Sequence, residues 1–187
     1  VAESSAKAGM KKVANKKLKS AEDIAAWLET NTGKGVAIAL SETADSLFGN
    51  GIETVELSTA ADAQVSLEWN PAAREALREF LEHPQRPKIL FDAKRAMHLL
   101  SKEGIILRSV ARDVSIINYL IAAGGRNEMP ELLLREFGSE TTETRAASLY
   151  ALNALLGGRS RGVSAAQPAD KTLLSVYADI ELPLIPI

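Results

Sequence analysis

The sequence predicts an α/β domain, a mixed sheet covered by helices, and three observations predict it. Three short apolar or alternating runs follow one another between residues 35 and 69, separated by turn residues. Lys88-Ile89-Leu90-Phe91 then reads as a buried strand feeding directly into a helix. After residue 114 the apolar positions recur with helical spacing only. Antiparallel strands, then strand alternating with helix, then helices alone, is the order of a mixed sheet with helices packed on it.

Taken along the chain, residues 1–19 carry Lys7, Lys11, Lys12, Lys16, Lys17 and Lys19 among small residues with no apolar period. They read as a flexible basic linker, or as an arm that touches DNA phosphates when a larger assembly holds it nearby. Ser20 is an N-cap, with Asp23 at the third helical position, for a short helix whose apolar face is Ile24, Trp27 and Leu28. Residues 35–40 form a buried strand, and 52–57 and 63–69 alternate as two further strands, antiparallel neighbours of the first. Asn70 before Pro71 opens a helix through Ala76, Leu77, Phe80 and Leu81, which His83-Pro84 stops. After the strand at 88–91, a helix over 93–102 is closed by Gly104. Residues 105–110 read as a short strand or extended segment. Helices follow over 114–122, 129–137 and 142–156, then a loop over 157–168 and a last helix from Pro168 to Ile180.

The 187 residues suffice for one domain plus a tail, and 46% hydrophobic content allows a sizeable core. No window approaches the roughly 18 uninterrupted apolar residues of a membrane span, and the first residues show no secretory pattern. With no cysteine, disulfides, thiolate metal sites and cysteine nucleophiles are excluded, and a reducing cytoplasm is the simplest setting. The formal net charge of −2 shows no global basic face for nucleic acid. A monomer without a membrane partner is expected.

Four segments sharpen the reading. Phe91-Asp92-Ala93-Lys94-Arg95-Ala96-Met97-His98-Leu99-Leu100, followed by Lys102-Glu103-Gly104-Ile105-Ile106-Leu107, has a strand, a "DAK" turn, a helix and a "GI-L" strand. Val110-Ala111-Arg112-Asp113 through Tyr119-Leu120 carries "V-x-D-x-x-x-x-x-Y-L", and Leu132 to Gly138 an "L-A-x-x-x-L-G"-like segment. Val176 to Pro186 ends the series. In this order and spacing they resemble the 3′–5′ exonuclease-like domain of bacterial DNA polymerase I, a family A polymerase. The resemblance implies a ribonuclease-H-like exonuclease fold over residues 20–176, with 177–187 starting the connection to a polymerase domain. It implies that polymerase domain as partner, and DNA reached through the parent polymerase.

The resemblance also implies where chemistry belongs. The family's nuclease uses four carboxylates to hold two divalent cations that stabilise the attacking and leaving oxygens. The first two belong to a D-x-E pattern ending the first strand. One register puts Ser41 and Thr43 there; the other keeps Glu42 but sets Leu40 in place of the aspartate. The third position falls on Ala96. The fourth, within a Y-x-x-x-D pattern, falls on Glu143 to Ala147. At most one ligand remains, so no catalytic residue, metal or cofactor is expected, and the nuclease reads as lost. Glu42, Asp45 and Asp92 are the residual candidates for a rebuilt metal site; alternatively they cap turns and helices or face water.

Other motifs carry less. His83 and His98 lack metal spacing and read as structural. Gly124-Gly125-Arg126-Asn127 lacks the context of a phosphate loop and reads as a helix stop. Gly157-Gly158-Arg159-Ser160-Arg161-Gly162 reads as a mobile basic loop, or one grazing DNA. No G-x-S-x-G elbow is present. The expected function is a catalytically inactive scaffold beside a polymerase domain in DNA replication and repair. The competing readings are a diverged metal-dependent proofreading exonuclease and a non-catalytic single-strand DNA-binding module, the latter disfavoured by 5% aromatic content.

Overall fold

The computed structural model describes residues 12–31, 33, 35–43, 51–121, 128–138 and 144–165, with side chains up to Arg159. Among these residues six strands form one sheet: β1 (Ala14–Lys17), β2 (Val36–Glu42), β3 (Ile52–Ser58), β4 (Ala63–Glu68), β5 (Lys88–Leu90) and β6 (Val110–Asp113). Their spatial order is β1-β4-β3-β2-β5-β6. The pairs β2–β3 and β3–β4 are antiparallel, whereas β1–β4, β2–β5 and β5–β6 are parallel. The sheet is therefore mixed, as its sequence order predicts.

Among the described residues six helices cover it: α1 (Ala21–Asn31), α2 (Pro71–Glu82), α3 (Ala93–Lys102), α4 (Val114–Ile121), α5 (Met129–Phe137) and α6 (Arg145–Ala165). The period-two alternation of the central strands feeds two cores. Val36, Ile38 and Leu90 pack with the buried faces of α1, α2 and α3. Their neighbours Ala37 and Ile89 pack with α4, α5 and α6. Such a strand must be apolar on both faces, which is why β2 begins as an unbroken apolar run. Burying each of Leu77, Phe80, Leu100 or Leu149 contributes about 1.5–3 kcal/mol.

The helix ends follow local chemistry. Ser20 Oγ accepts the Asp23 amide at 3.1 Å. Asn70 Oδ1 accepts that of Ala73 at 2.9 Å, with Pro71 at the first turn. Gly104 takes φ +70, the left-handed cap that glycine adopts without strain.

Three expectations are corrected and one is narrowed. Residues 14–17, expected within the linker, form β1, held by a ladder to β4 and by the buried Leu18 that follows it. Of residues 105–110, expected as a short strand or extended segment, only Val110 joins a strand, because Ile105 and Leu107 turn into the core instead of joining the ladder. The helix expected from 142 begins at Arg145. It also continues through the expected loop to Ala165, so Gly157 and Gly158 are helical. The last expected helix, the segment 177–187 and the Gly124–Asn127 turn lie outside the described residues.

Candidate active site

The carboxyl ends of β2 and β5 open into a cavity of about 440 Å³, closed by α3, α5 and α6. Leu40 and Glu42 enter it from β2, and Asp92, Arg95 and Ala96 from the start of α3. A register shift between Ser41 and Glu42 in the ladder to β3 sits at the same place. Such irregularities commonly re-aim side chains beside functional sites.

Of the two sequence registers, the geometry brings Leu40, Glu42, Asp92 and Ala96 together. Ser41 does not line the cavity; its Oγ accepts Thr54 Oγ1 at 2.7 Å and the guanidinium of Arg145 beside the cavity. Thr43 lies outside the cavity, its Oγ1 accepting the Gly51 amide at 3.1 Å. Ala147 is not brought to the cavity either: it is fully buried, and its amide donates to Gln64 Oε1 at 3.2 Å. The residues of α6 that line the cavity are Arg145 and Leu149, four apart, two positions later than expected. Asp45 and Glu143 lie outside the described residues.

Two arginines, not foreseen from a pattern of carboxylates, complete the cavity. Arg95 Nε stands 2.5 Å from Glu42 Oε1. That hydrogen bond holds the guanidinium above its ordinary pKa against partial desolvation, with the charges of Glu42, Asp92 and Glu128 assisting. Arg145 bonds Ser41, and its Nε lies 4.0 Å from Glu56 Oε1. The buried Glu56 also caps α6, its Oε2 accepting the amides of Arg145 at 2.8 Å and Ala146 at 3.2 Å. A carboxylate at a helix N-terminus is favoured by both the open amides and the macrodipole. The available signal was an arginine three residues past the "DAK" aspartate, on its helical face.

Asp92 is committed as well. It is the N-cap of α3 in the left-handed region, φ 57 and ψ 68, and accepts the Arg95 amide at 3.1 Å. Asp113 at the end of β6 braces the same turn. Its Oδ2 accepts the Ala93 amide at 2.8 Å, and its Oδ1 accepts the Asp92 and Ser115 amides.

A two-cation centre requires several hard oxygen donors carrying net negative charge. Here Leu40, Ala96 and Leu149 offer no donor, and Glu42 already faces a guanidinium. Among the described residues no three His, Cys, Asp or Glu side chains converge on a metal position. This donor set does not fit two divalent cations.

The remaining candidates take structural places. His83 Nδ1 accepts the Gln85 amide at 3.1 Å, and His98 is exposed. Arg159, expected in a basic loop, is helical and lies 2.7 Å from Glu136, which also binds Arg135.

The mixed sheet covered on both faces by helices, with a cavity at the carboxyl ends of its central strands, fits the ribonuclease-H-like exonuclease fold of the family whose model the chain matches. The chain belongs to the DNA polymerase I, ribonuclease H-like domain family, whose model matches residues 45–145. DNA polymerase I of Mycobacterium tuberculosis and that of Mycobacterium bovis are each 30% identical to it over 132 residues. That stretch is 66% of this chain and 15% of either relative, so the chain spans a small part of the proteins it matches. Among solved structures, the POL domain of Pol1 from M. smegmatis, in complex with DNA primer-template and dNTP, superposes with a TM-score of 0.74 at 24% identity. The match covers 92% of this chain and 30% of that one. Trypanosoma brucei RNase D superposes with a TM-score of 0.64 at 14% identity, covering 79% and 66%. At these identities the structural matches speak for the fold.

Proposed function

We propose that this domain is a catalytically silent 3′–5′ exonuclease module that acts as a scaffold beside the polymerase domain of a parent DNA polymerase I. One observation carries the reading: the Arg95–Glu42 pair occupies the cavity, beside Leu40 and Ala96, which stand where the family resemblance leads one to expect carboxylates. A guanidinium supplies a fixed positive charge there, but it cannot activate water as a divalent cation does. What the fold retains is its two cores and its helix caps, the parts that a load-carrying spacer needs. In this reading DNA synthesis for replication and repair belongs to residues outside this chain, in the cytoplasm. The module works as a monomer joined to the polymerase domain through 177–187.

The test is titration calorimetry with Mn²⁺, run beside release of mononucleotides from a 3′-labelled oligonucleotide. The expected result is no binding heat and no release at high protein concentration. Micromolar metal binding with metal-dependent release would overturn the proposal in favour of a diverged exonuclease using Glu42, Asp45 and Asp92.

A further inference from the structure

The positive charge of this chain is distributed unevenly, and the way it is partnered differs from place to place. Arg74, Arg78, Arg95, Arg135, Arg145 and Arg159 each lie within ion-pair distance of a glutamate. Lys12, Lys16, Lys17 and Lys19 are all exposed, and among the described residues none has an ion pair or side-chain hydrogen bond. Four unpartnered ammonium groups thus fall within eight consecutive residues.

These lysines are on or beside β1, the outermost strand, and every residue of β1 is exposed. The strand is fixed in register by pairing from Ala14↔Ala63 to Lys17↔Ser66. The Leu18 amide continues the ladder to Ser66 O at 2.9 Å, and the Leu18 side chain is buried. The charges are therefore presented by a sheet edge and not by a loose tail, so less ordering entropy is lost on contact. At ~3.3 Å per residue the row is about 23 Å long, a reach comparable to roughly seven base-pair steps of a duplex.

We propose that this edge is a contact surface for the phosphate backbone of duplex DNA. Charge complementarity selects a polyanion. The row from Lys12 to Ser20 contains no aromatic side chain on which an unpaired base would stack, so a single strand gains nothing over a duplex. Lys16 and Lys17, successive residues of the strand, leave it on opposite faces, so lysines flank the edge on both sides, and Glu68 is the one acidic side chain that lines the groove beside Lys17 and Lys19. Contacts of this kind carry no sequence information and position the protein along the helix. The surface is separate from the cavity, so it stands or falls independently of the silent-nuclease reading.

The experiment is fluorescence anisotropy of a labelled duplex of about 20 base pairs, titrated with the whole chain across a salt series. Four phosphate contacts predict a slope of log K against log salt of about −3 to −4. K17E/K19E is expected to weaken binding about tenfold or more at ~50 mM salt and to flatten the slope by about two. K94E/R108E makes the same change in net charge on exposed residues away from β1, and is expected to leave binding within about twofold. Circular dichroism of both variants checks that they fold. Equal losses in the two variants, a preference for single-stranded DNA, or no measurable binding at low salt would each overturn the proposal.

Discussion

Asp113 accepts the backbone amide of Ala93 at 2.8 Å, tying the end of β6 to the first residue of α3. The same carboxylate accepts the Asp92 amide at 3.2 Å and the Ser115 amide and hydroxyl at 3.0 and 2.8 Å. One buried group thus satisfies open amides at the starts of two helices, which explains physically why an acidic residue stands at this point in the motif. Asp113→Asn sets an NH₂ group against one of these amides, and a cost of roughly 2 kcal/mol is expected. Asp113→Ala strands more donors and should cost more than Asp113→Asn. Urea unfolding followed by circular dichroism measures both; equal stability of the three proteins would contradict the bracing role.

Asp92 combines a cap with a left-handed backbone at φ 57. Asparagine tolerates that conformation and also caps, whereas alanine does neither well. Asp92→Asn should leave stability within about 0.5 kcal/mol, because the cap survives. Asp92→Ala should lose about 2 kcal/mol, from the cap and the strained backbone together. Thermal melts of the two variants beside the parent would show the ranking.

Lys88 is fully buried, its Nζ bonding the carbonyls of His83 at 3.1 Å and Arg86 at 2.9 Å above the Phe80 ring. Desolvation first, then the charge of Arg86, lowers its pKa from 10.5 to about 8. A neutral amine keeps two N–H donors, enough for both carbonyls. Between those two values the unfolded chain binds more protons than the folded one, so stability rises with pH through the window. The gain, largest near the upper end, is about 3 kcal/mol, and the full burial cost is present below the folded value. Subtracting the profile of Lys88→Met from that of the parent isolates the effect. A flat difference across the window would show that the ammonium is not desolvated.

The cavity makes a prediction about rebuilding. Leu40→Asp with Ala96→Asp adds two carboxylates, and Arg95→Gln releases Glu42 from its guanidinium. The triple variant should bind Mn²⁺ with measurable heat. Arg95→Gln alone should bind none, because two oxygen donors are still missing. Binding by the single variant would mean that Arg95 alone blocks an otherwise sufficient site. The Arg95–Glu42 pair itself, with Arg95 well exposed, contributes no more than about 1 kcal/mol to stability.

Local signals were legible where local chemistry decides the structure. Ser20, Asn70 and Gly104 mark their helix ends because the capping side chain, or its absence, lies within a few residues. The central strands were legible because β2 to β5 are buried on one or both faces and their composition records it. β1 was not: all of its residues are exposed, so no apolar pattern exists, and its partner β4 lies some fifty positions later. The course of α6 through Gly157 and Gly158 was hidden for the opposite reason. Glycine disfavours a helix locally, and tertiary packing of Leu149, Leu152 and Leu156 overrides it. The cavity arginines escaped because their role depends on which strand faces which helix.

The position of β1 bears on the order in which the protein assembles and comes apart. Among the described residues it pairs with β4 alone, in parallel and across some fifty positions, so its contacts are non-local. With every residue of the strand exposed and Leu18 as its buried anchor, it is expected to open more readily than the two cores. The basic edge is thus expected to exchange its amides sooner than the central strands β2 and β3. Affinity carried by that margin can disappear while both cores remain native.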